Sequence, residues 1–411
     1  MKLPQRVLAF RRQLLFKKTL LTIPRHPASD KTRLALITGE LEVGGVSRVL
    51  LNIIGSLPLN RFEIYIFTTD PRVNNWSLEF SKHVNLIVDI PPTIGRSLSQ
   101  KYVRKYLETY ISKNKMDVLF ITNSTTGYES LPHIKANGSS KTAKVYDLLH
   151  THGRPEDNDA FLKISMPFDG YIDKRIVISD YLKSYFCAHY PVAAEKVIVI
   201  YNGVGETVLS QKADAAHGRA LLGLAKDERA ITFLGRLQGD KSPDRLIELA
   251  SILKPELDEH HVFIAIVGEG SLEESLRKRA QELGVMDKQV RFYLFTDTPL
   301  DICRASLYTI ITSDLEGIPM SALESMLMHT PVIAPAVGGL PEIVDDKRDG
   351  FLASFADKTE SEKLGALAAV IREALQQNSH YKTAMNERAY QKVCDKFSTM
   401  GQYYLKLFEK S

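Results

Sequence analysis

Residues 202–223, NGVGETVLSQKADAAHGRALLG, interrupt a series of short apolar strands, and the same series begins again directly after them. Before the break stand RLALIT (33–38), FEIYIFTT (62–69), VNLIVDI (84–90), MDVLFIT (116–122), AKVYDLLH (143–150), KRIVIS (174–179) and KVIVIY (196–201). After it stand AITFLGR (230–236), VFIAIVGEG (262–270), VRFYLF (290–295), SLYTIIT (306–312) and PVIAPA (331–336). Helical patterns lie between most of them, one of them at about 45–57. Short apolar strands alternating with helices are the mark of a parallel, doubly wound sheet covered on both faces. The reading is therefore α/β, with two Rossmann-like domains of similar size joined near residues 203–225.

The boundaries expected are a basic segment over 1–31, a first domain over 32–205, a second over 206–395 and a docking helix over 396–411. That tail, FSTMGQYYLKLFEKS, sets Phe397, Tyr404, Leu405 and Phe408 at helical spacing. A chain of 411 residues is ample for two cores, and no apolar run reaches the length of a membrane-spanning helix. Three scattered cysteines, Cys187, Cys303 and Cys394, argue against a disulfide framework or a zinc site and suit a reducing cytoplasm.

Charge is unevenly placed. Residues 1–33 hold nine Lys or Arg against one acid, a net of +8, so the +4 of the whole chain leaves −4 for residues 34–411. Cations interrupt every apolar run in MKLPQRVLAFRRQLLFKKTLLTIPRHP, which excludes a secretory signal. Leu3, Val7, Phe10, Leu14 and Leu21 fall near one helical face. A basic amphipathic helix of this kind either lies on an anionic membrane or packs on protein, and an organelle transit peptide is a third option. Residues 96–115 carry six Lys or Arg against one Glu, with Tyr102, Tyr106 and Tyr110 four apart. They read as a core aromatic stripe with a solvated basic face, or as a second membrane-facing helix. No nucleic-acid motif accompanies either basic stretch.

In doubly wound sheets, ligands gather where loops leave the C-terminal strand ends. In FLGRLQGDKSPDRLIELA (233–250) Gly235 and Arg236 turn outward after a strand, and Lys241 follows before an amphipathic helix. Two cations on such a loop suit a diphosphate, although solvated surface charge is the plainer reading. In ITSDLEGIPMSALESM (311–326) Pro319 fits a first helical turn, so the N–H groups of residues 320–323 should face back toward the strand end, where they attract phosphate. Glu316 and Glu324 would repel that phosphate and so should meet hydroxyls beside it; the alternative is that they cap helices or pair with cations. Gly338-Gly339 in APAVGGLPEIV permits close backbone approach to a ligand.

The run FLGRL…DK, IVGEG, EGIPMSALESM and PVIAPAVGGLPEIVDDKRDGFL resembles the retaining glycosyltransferases of the large family 4 type. That family includes bacterial mannosyl-, glucosyl- and galactosyltransferases, sucrose synthase and sucrose-phosphate synthase. GGVSRVLLNI and LLHTHG resemble its glycine loop and histidine-bearing strand end. The resemblance implies the GT-B fold, two Rossmann-like domains facing across a cleft, the first binding acceptor and the second the nucleotide-sugar donor.

It further implies that Arg236 and Lys241 hold the nucleotide diphosphate, that Glu316 meets the donor sugar and that Glu324 meets the ribose. The backbone at Gly317 and at Met320, Ser321 and Ala322 would touch the phosphates, with Gly235 nearby. Gly44 and Gly45 would let the first domain approach the reacting centre, and His150 would sit near sugar and acceptor. Phe295, Thr296 and Asp297 fall where the base is usually contacted. Ile318-Pro319 departs from the Phe-Gly type of pair common in the family, which alters loop shape without removing either acid.

The implied activity is hexose transfer from a nucleotide-sugar to a glycan or lipid-linked acceptor in cell-surface polysaccharide or glycolipid synthesis. The place implied is the cytoplasm or the inner face of the membrane. Glu316 is expected to orient the sugar rather than attack it. Asp-Asn-Asp at 157–159 could bind a metal, but without the matching fold it reads as a helix cap, so no metal or other cofactor is expected. The rivals are a non-catalytic nucleotide-binding or partner subunit, and a nucleotide-sugar epimerase or phosphorylase on the same fold.

Overall fold

A computed structural model describes residues 5–71, 74–94, 99–136, 140–152 and 160–409. The chain divides into two units. The first comprises the chain up to Ile178, Lys183–Ile200 and the segment from Gly401; the second comprises Ser179–Leu182 and Tyr201–Met400. Asp-Asn-Asp at 157–159 lies outside the described residues.

The first unit is built on seven parallel strands: β1 (Thr32–Thr38), β2 (Phe62–Thr68), β3 (Leu86–Asp89), β4 (Val118–Thr122), β5 (Lys144–Leu149), β6 (Lys174–Val177) and β7 (Val197–Val199). Their order across the sheet is β3-β2-β1-β4-β5-β6-β7. Every residue of β1 and β4 is buried, and their centres, LALI and VLFI, read as unbroken apolar runs. Tyr106 and Tyr110, on the helix Gln100–Lys113, are buried in the core against this sheet, so the tyrosine stripe packs inward.

The helix Gln5–Leu21 packs on the same unit through its second half. Phe16 is buried and meets Tyr102 edge-on at 4.7 Å, and Leu20 packs against the same cluster. Lys113 Nζ donates to the Leu20 carbonyl at 2.7 Å, and Asn114 Nδ2 donates to that of Pro24 at 3.1 Å. Burial of a side chain such as Phe16 or Ile23 contributes about 2 kcal/mol. Leu14 and Leu21 stay exposed, beside exposed Lys17 and Lys18. The helix thus packs on protein with Phe16 and Leu20, while Leu14 and Leu21 of the expected face point to solvent.

The second unit holds six parallel strands: β8 (Arg229–Leu234), β9 (Val262–Val267), β10 (Val290–Tyr293), β11 (Tyr308–Ile310), β12 (Val332–Pro335) and β13 (Gly350–Ala353), in the order β10-β9-β8-β11-β12-β13. β13 was not expected from the sequence: it is four residues long, opens on glycine and pairs on one side only. The helix Met400–Phe408 returns to the first unit, where Tyr404 and Phe408 pack on Phe120 of β4, and Phe408 also on Tyr146 of β5. No described helix is long and apolar enough to cross a membrane.

Candidate active site

The strand order of the second sheet reverses between β8 and β11. At such a switch point the loops leaving the two strands diverge to opposite faces and open a crevice at their C-terminal ends. The β8 loop carries Gly235, Arg236 and Lys241; the β11 loop carries Thr312 to Glu316. Lys241 Nζ donates to Glu316 Oε1 at 2.6 Å, joining the two loops across the switch point. Ser313 Oγ donates to the same oxygen at 2.6 Å, leaving Oε2 with no partner among the described residues. Glu316 is buried and Lys241 half-buried. A carboxylate fixed on one oxygen and open on the other can accept from a hydroxyl, and a lysine beside it can meet a phosphate.

The helix Met320–Leu327 begins four residues after Glu316. Pro319 stands just ahead of its first turn in extended backbone, and its carbonyl accepts from the N–H groups of Ala322 and Leu323. That leaves the N–H groups of Met320 and Ser321 without a protein acceptor among the described residues. Among the described residues the N–H groups left open at this helix start are thus two, not the four expected from the sequence. Glu324 lies one turn on, half-buried.

The glycines fall into two kinds. A Cβ on Gly338 would overlap the carbonyl oxygen of Glu316, and one on Gly339 that of Gly317. The Gly338-Gly339 loop therefore approaches the backbone of Glu316 and Gly317, where the sequence suggested a ligand; Gly339 N–H donates to the Glu316 carbonyl at 3.2 Å. Gly44 and Gly45, which lead into the helix Gly45–Gly55 of the first unit, face open space.

Arg236 is largely exposed and pairs with Asp240 at 3.2 Å, not with Glu316. Phe295 and Thr296 follow β10, with the Phe295 ring half exposed and the Thr296 hydroxyl accepting from the Thr298 N–H at 3.1 Å. In the first unit, His150 follows β5, and its Nε2 lies 3.2 Å from Thr122 Oγ1 at the end of β4. Burial pushes the His150 imidazole down to about 4, so at neutral pH it is an uncharged hydrogen-bonding group. Thr312, Ser313, Asp314 and Arg245, which shape the Glu316 loop, were missed in the sequence. Arg245 carried a signal, a charge on the apolar face of the helix Asp244–Ile252.

Residues 218–392 match the family described as Glycosyl transferases group 1, and residues 43–207 match Glycosyltransferase Family 4. The chain belongs to glycosyltransferase family 4. Among curated relatives of this family 4 chain, a D-inositol 3-phosphate glycosyltransferase of Streptomyces scabiei is 35% identical over 179 residues, 41% of this chain and 40% of the relative. An uncharacterized glycosyltransferase of Methanocaldococcus jannaschii is 31% identical over 180 residues, 43% of this chain and 45% of its own length. The family 4 chain therefore aligns with less than half the length of these relatives.

Solved structures match over far more of it. HepE of Anabaena, in complex with UDP and glucose, superposes with a TM-score of 0.73 at 17% identity, covering 92% of this chain and 99% of HepE. Sucrose-phosphate synthase of Thermosynechococcus elongatus gives 0.72 at 19%, with coverage of 92% and 99%. At these identities the likeness concerns the fold alone, which is GT-B.

Proposed function

We propose that this chain is a retaining hexosyltransferase that moves a sugar from a nucleotide-sugar to a glycan or lipid-linked acceptor, in cell-surface polysaccharide or glycolipid synthesis. The observation that carries the reading is the Lys241–Glu316 pair at the β8/β11 switch point, with the Met320 and Ser321 N–H groups close in sequence. Breaking the bond between the anomeric carbon and the diphosphate oxygen sends its electron pair to the phosphate and leaves positive character on the sugar. Lys241 and the helix N–H groups stabilise that developing charge, a contribution already in place before reaction. Arg236, whose exposed guanidinium pairs among the described residues with a surface aspartate, turns toward the diphosphate when it binds.

Glu316 Oε2 accepts from sugar hydroxyls, and Glu324 from the ribose. The acceptor hydroxyl adds on the face the diphosphate leaves and gives its proton to the departing phosphate oxygen. Phe295 offers a ring face to the base. The first unit holds the acceptor, with Gly44 and Gly45 giving room for it and neutral His150 hydrogen-bonding there.

A melting-temperature screen with UDP, GDP, ADP and dTDP tests the donor site. UDP is the first candidate, because HepE has been solved with UDP and with UDP-glucose. At about a hundredfold excess over Kd a ligand adds about 2.7 kcal/mol, which corresponds to a rise of roughly 5–10 °C for a domain of this size. No rise with any of the four nucleotides would count against the reading.

The exposed pair Leu14 and Leu21, flanked by Lys17 and Lys18, suits the headgroup region of an anionic membrane. We expect the protein to sediment with phosphatidylglycerol vesicles and not with phosphatidylcholine vesicles. Replacing both leucines by serine and both lysines by glutamate should cut the bound fraction at least tenfold. Equal sedimentation of the variant would remove this face from the proposal.

A further inference from the structure

Lys241 and Glu316 are 75 positions apart and meet only if the β8 and β11 loops are held in register. One side chain touches the elements that decide this. Arg245 stands in the first turn of the helix Asp244–Ile252, four residues after Lys241, and only 2% of it is exposed. Its Nη1 donates to the Thr312 carbonyl at 2.5 Å, and its Nη2 to both carboxylate oxygens of Asp314, at 2.8 and 2.9 Å. Nε and Nη2 also reach the two oxygens of Glu360, at 2.5 and 2.7 Å, on the first residue of the helix Glu360–Gln376.

The Thr312 side chain completes the link. Its Oγ1 donates to the carbonyl of Lys241 at 2.8 Å. Thr312 thus receives Arg245 on its carbonyl and holds Lys241 with its hydroxyl, one residue before Ser313, which holds Glu316. Lys363 Nζ supports Asp314 at 2.7 Å, and the guanidinium lies 5.1 Å from the Phe355 ring centroid.

We infer that Arg245 is a positioning residue for the transfer reaction: it fixes Thr312 and Asp314, and through them sets Lys241 Nζ against Glu316 Oε1. The inference rests on the roles given above to Lys241 and Glu316. Asp314 and Glu360 are both substantially exposed, so it is the buried guanidinium that ties them to the buried Thr312. Lysine offers one charged point in place of a planar fork and cannot make these contacts together.

The test uses the full chain and the nucleotide-hexose that the wild type consumes fastest among UDP-, GDP-, ADP- and dTDP-glucose and their mannose counterparts. Arg245→Ala is expected to lower kcat at least tenfold and change KM less than threefold, with Arg245→Lys recovering part of the loss. Added to Glu316→Gln, it should lower the remaining turnover less than twofold, because its effect runs through Glu316. A raised KM at unchanged kcat, or a fully additive loss in the double variant, overturns the inference.

Amide exchange over residues 312–318 supplies a readout that needs no substrate. Exchange should quicken at least tenfold in Arg245→Ala, and unchanged exchange also overturns the inference. Where Arg245→Ala does not fold, Asp314→Asn, at an exposed partner, carries the same measurements. Wild-type turnover by Glu316→Gln alone would sink the donor-site reading, leaving the exchange result to decide whether Arg245 orders the loop.

Discussion

Glu316→Gln is expected to lower turnover about a hundred- to a thousandfold, the range seen when one preorganised polar group is removed from a reacting centre. Gln keeps an oxygen that can accept from Ser313 and Lys241, so the loop retains its hydrogen bonds. What it loses is the charge that balances Lys241 and the second acceptor oxygen, the one proposed to meet sugar hydroxyls. Nucleotide affinity should change little, because the base and diphosphate do not depend on Oε2. The measurement is steady-state turnover of the nucleotide-hexose beside calorimetric binding of the free nucleotide. Lys241→Ala supplies the contrast: it should lower turnover to a similar extent and weaken nucleotide binding as well, since it removes the cation proposed to meet the diphosphate. Wild-type turnover in Glu316→Gln, in a protein that still melts cooperatively, would remove the carboxylate from the mechanism.

The largest loss of stability is expected for Gly338→Ala. Gly338 has φ of +56°, in the left-handed region that costs a residue with a Cβ about 1–2 kcal/mol. The new methyl would also overlap the Glu316 carbonyl oxygen, which is backbone and cannot swing aside as a long side chain can. Overpacking of that kind costs a further 1–3 kcal/mol, so the second unit should lose about 2–5 kcal/mol in denaturant titration. Any protein that folds should also lose turnover, because relief of the overlap moves Glu316. A midpoint equal to that of the wild type would mean that the loop can shift without cost.

The strands were legible because most are buried on both faces and so read as continuous apolar runs; β1 and β9 are buried at every position. β13 escaped because a four-residue strand opening on glycine, just after the charged turn Asp345–Arg348, carries no such run. Lys241 and Glu316 could be picked out as a cation and an acid on strand-end loops, but not as partners, since no local spacing encodes a contact across 75 residues. The two glycine pairs show the same limit. Gly44-Gly45 and Gly338-Gly339 look alike as letters, yet the first faces open space and the second lies against the backbone of Glu316 and Gly317. Arg245 stands on the apolar face of its helix, but the sequence does not say which loop its guanidinium reaches.

The return of the helix Met400–Phe408 to the first unit bears on how the molecule is made. During synthesis the seven-stranded sheet emerges first, but Phe120 and Tyr146 wait for Tyr404 and Phe408 until the whole six-stranded unit has been translated. The order of completion therefore runs against the order of emergence. The unit that leaves the ribosome first is the last to close its core, and it holds an uncovered aromatic surface for the time needed to add about two hundred residues, on the order of 10–40 s at bacterial or eukaryotic rates.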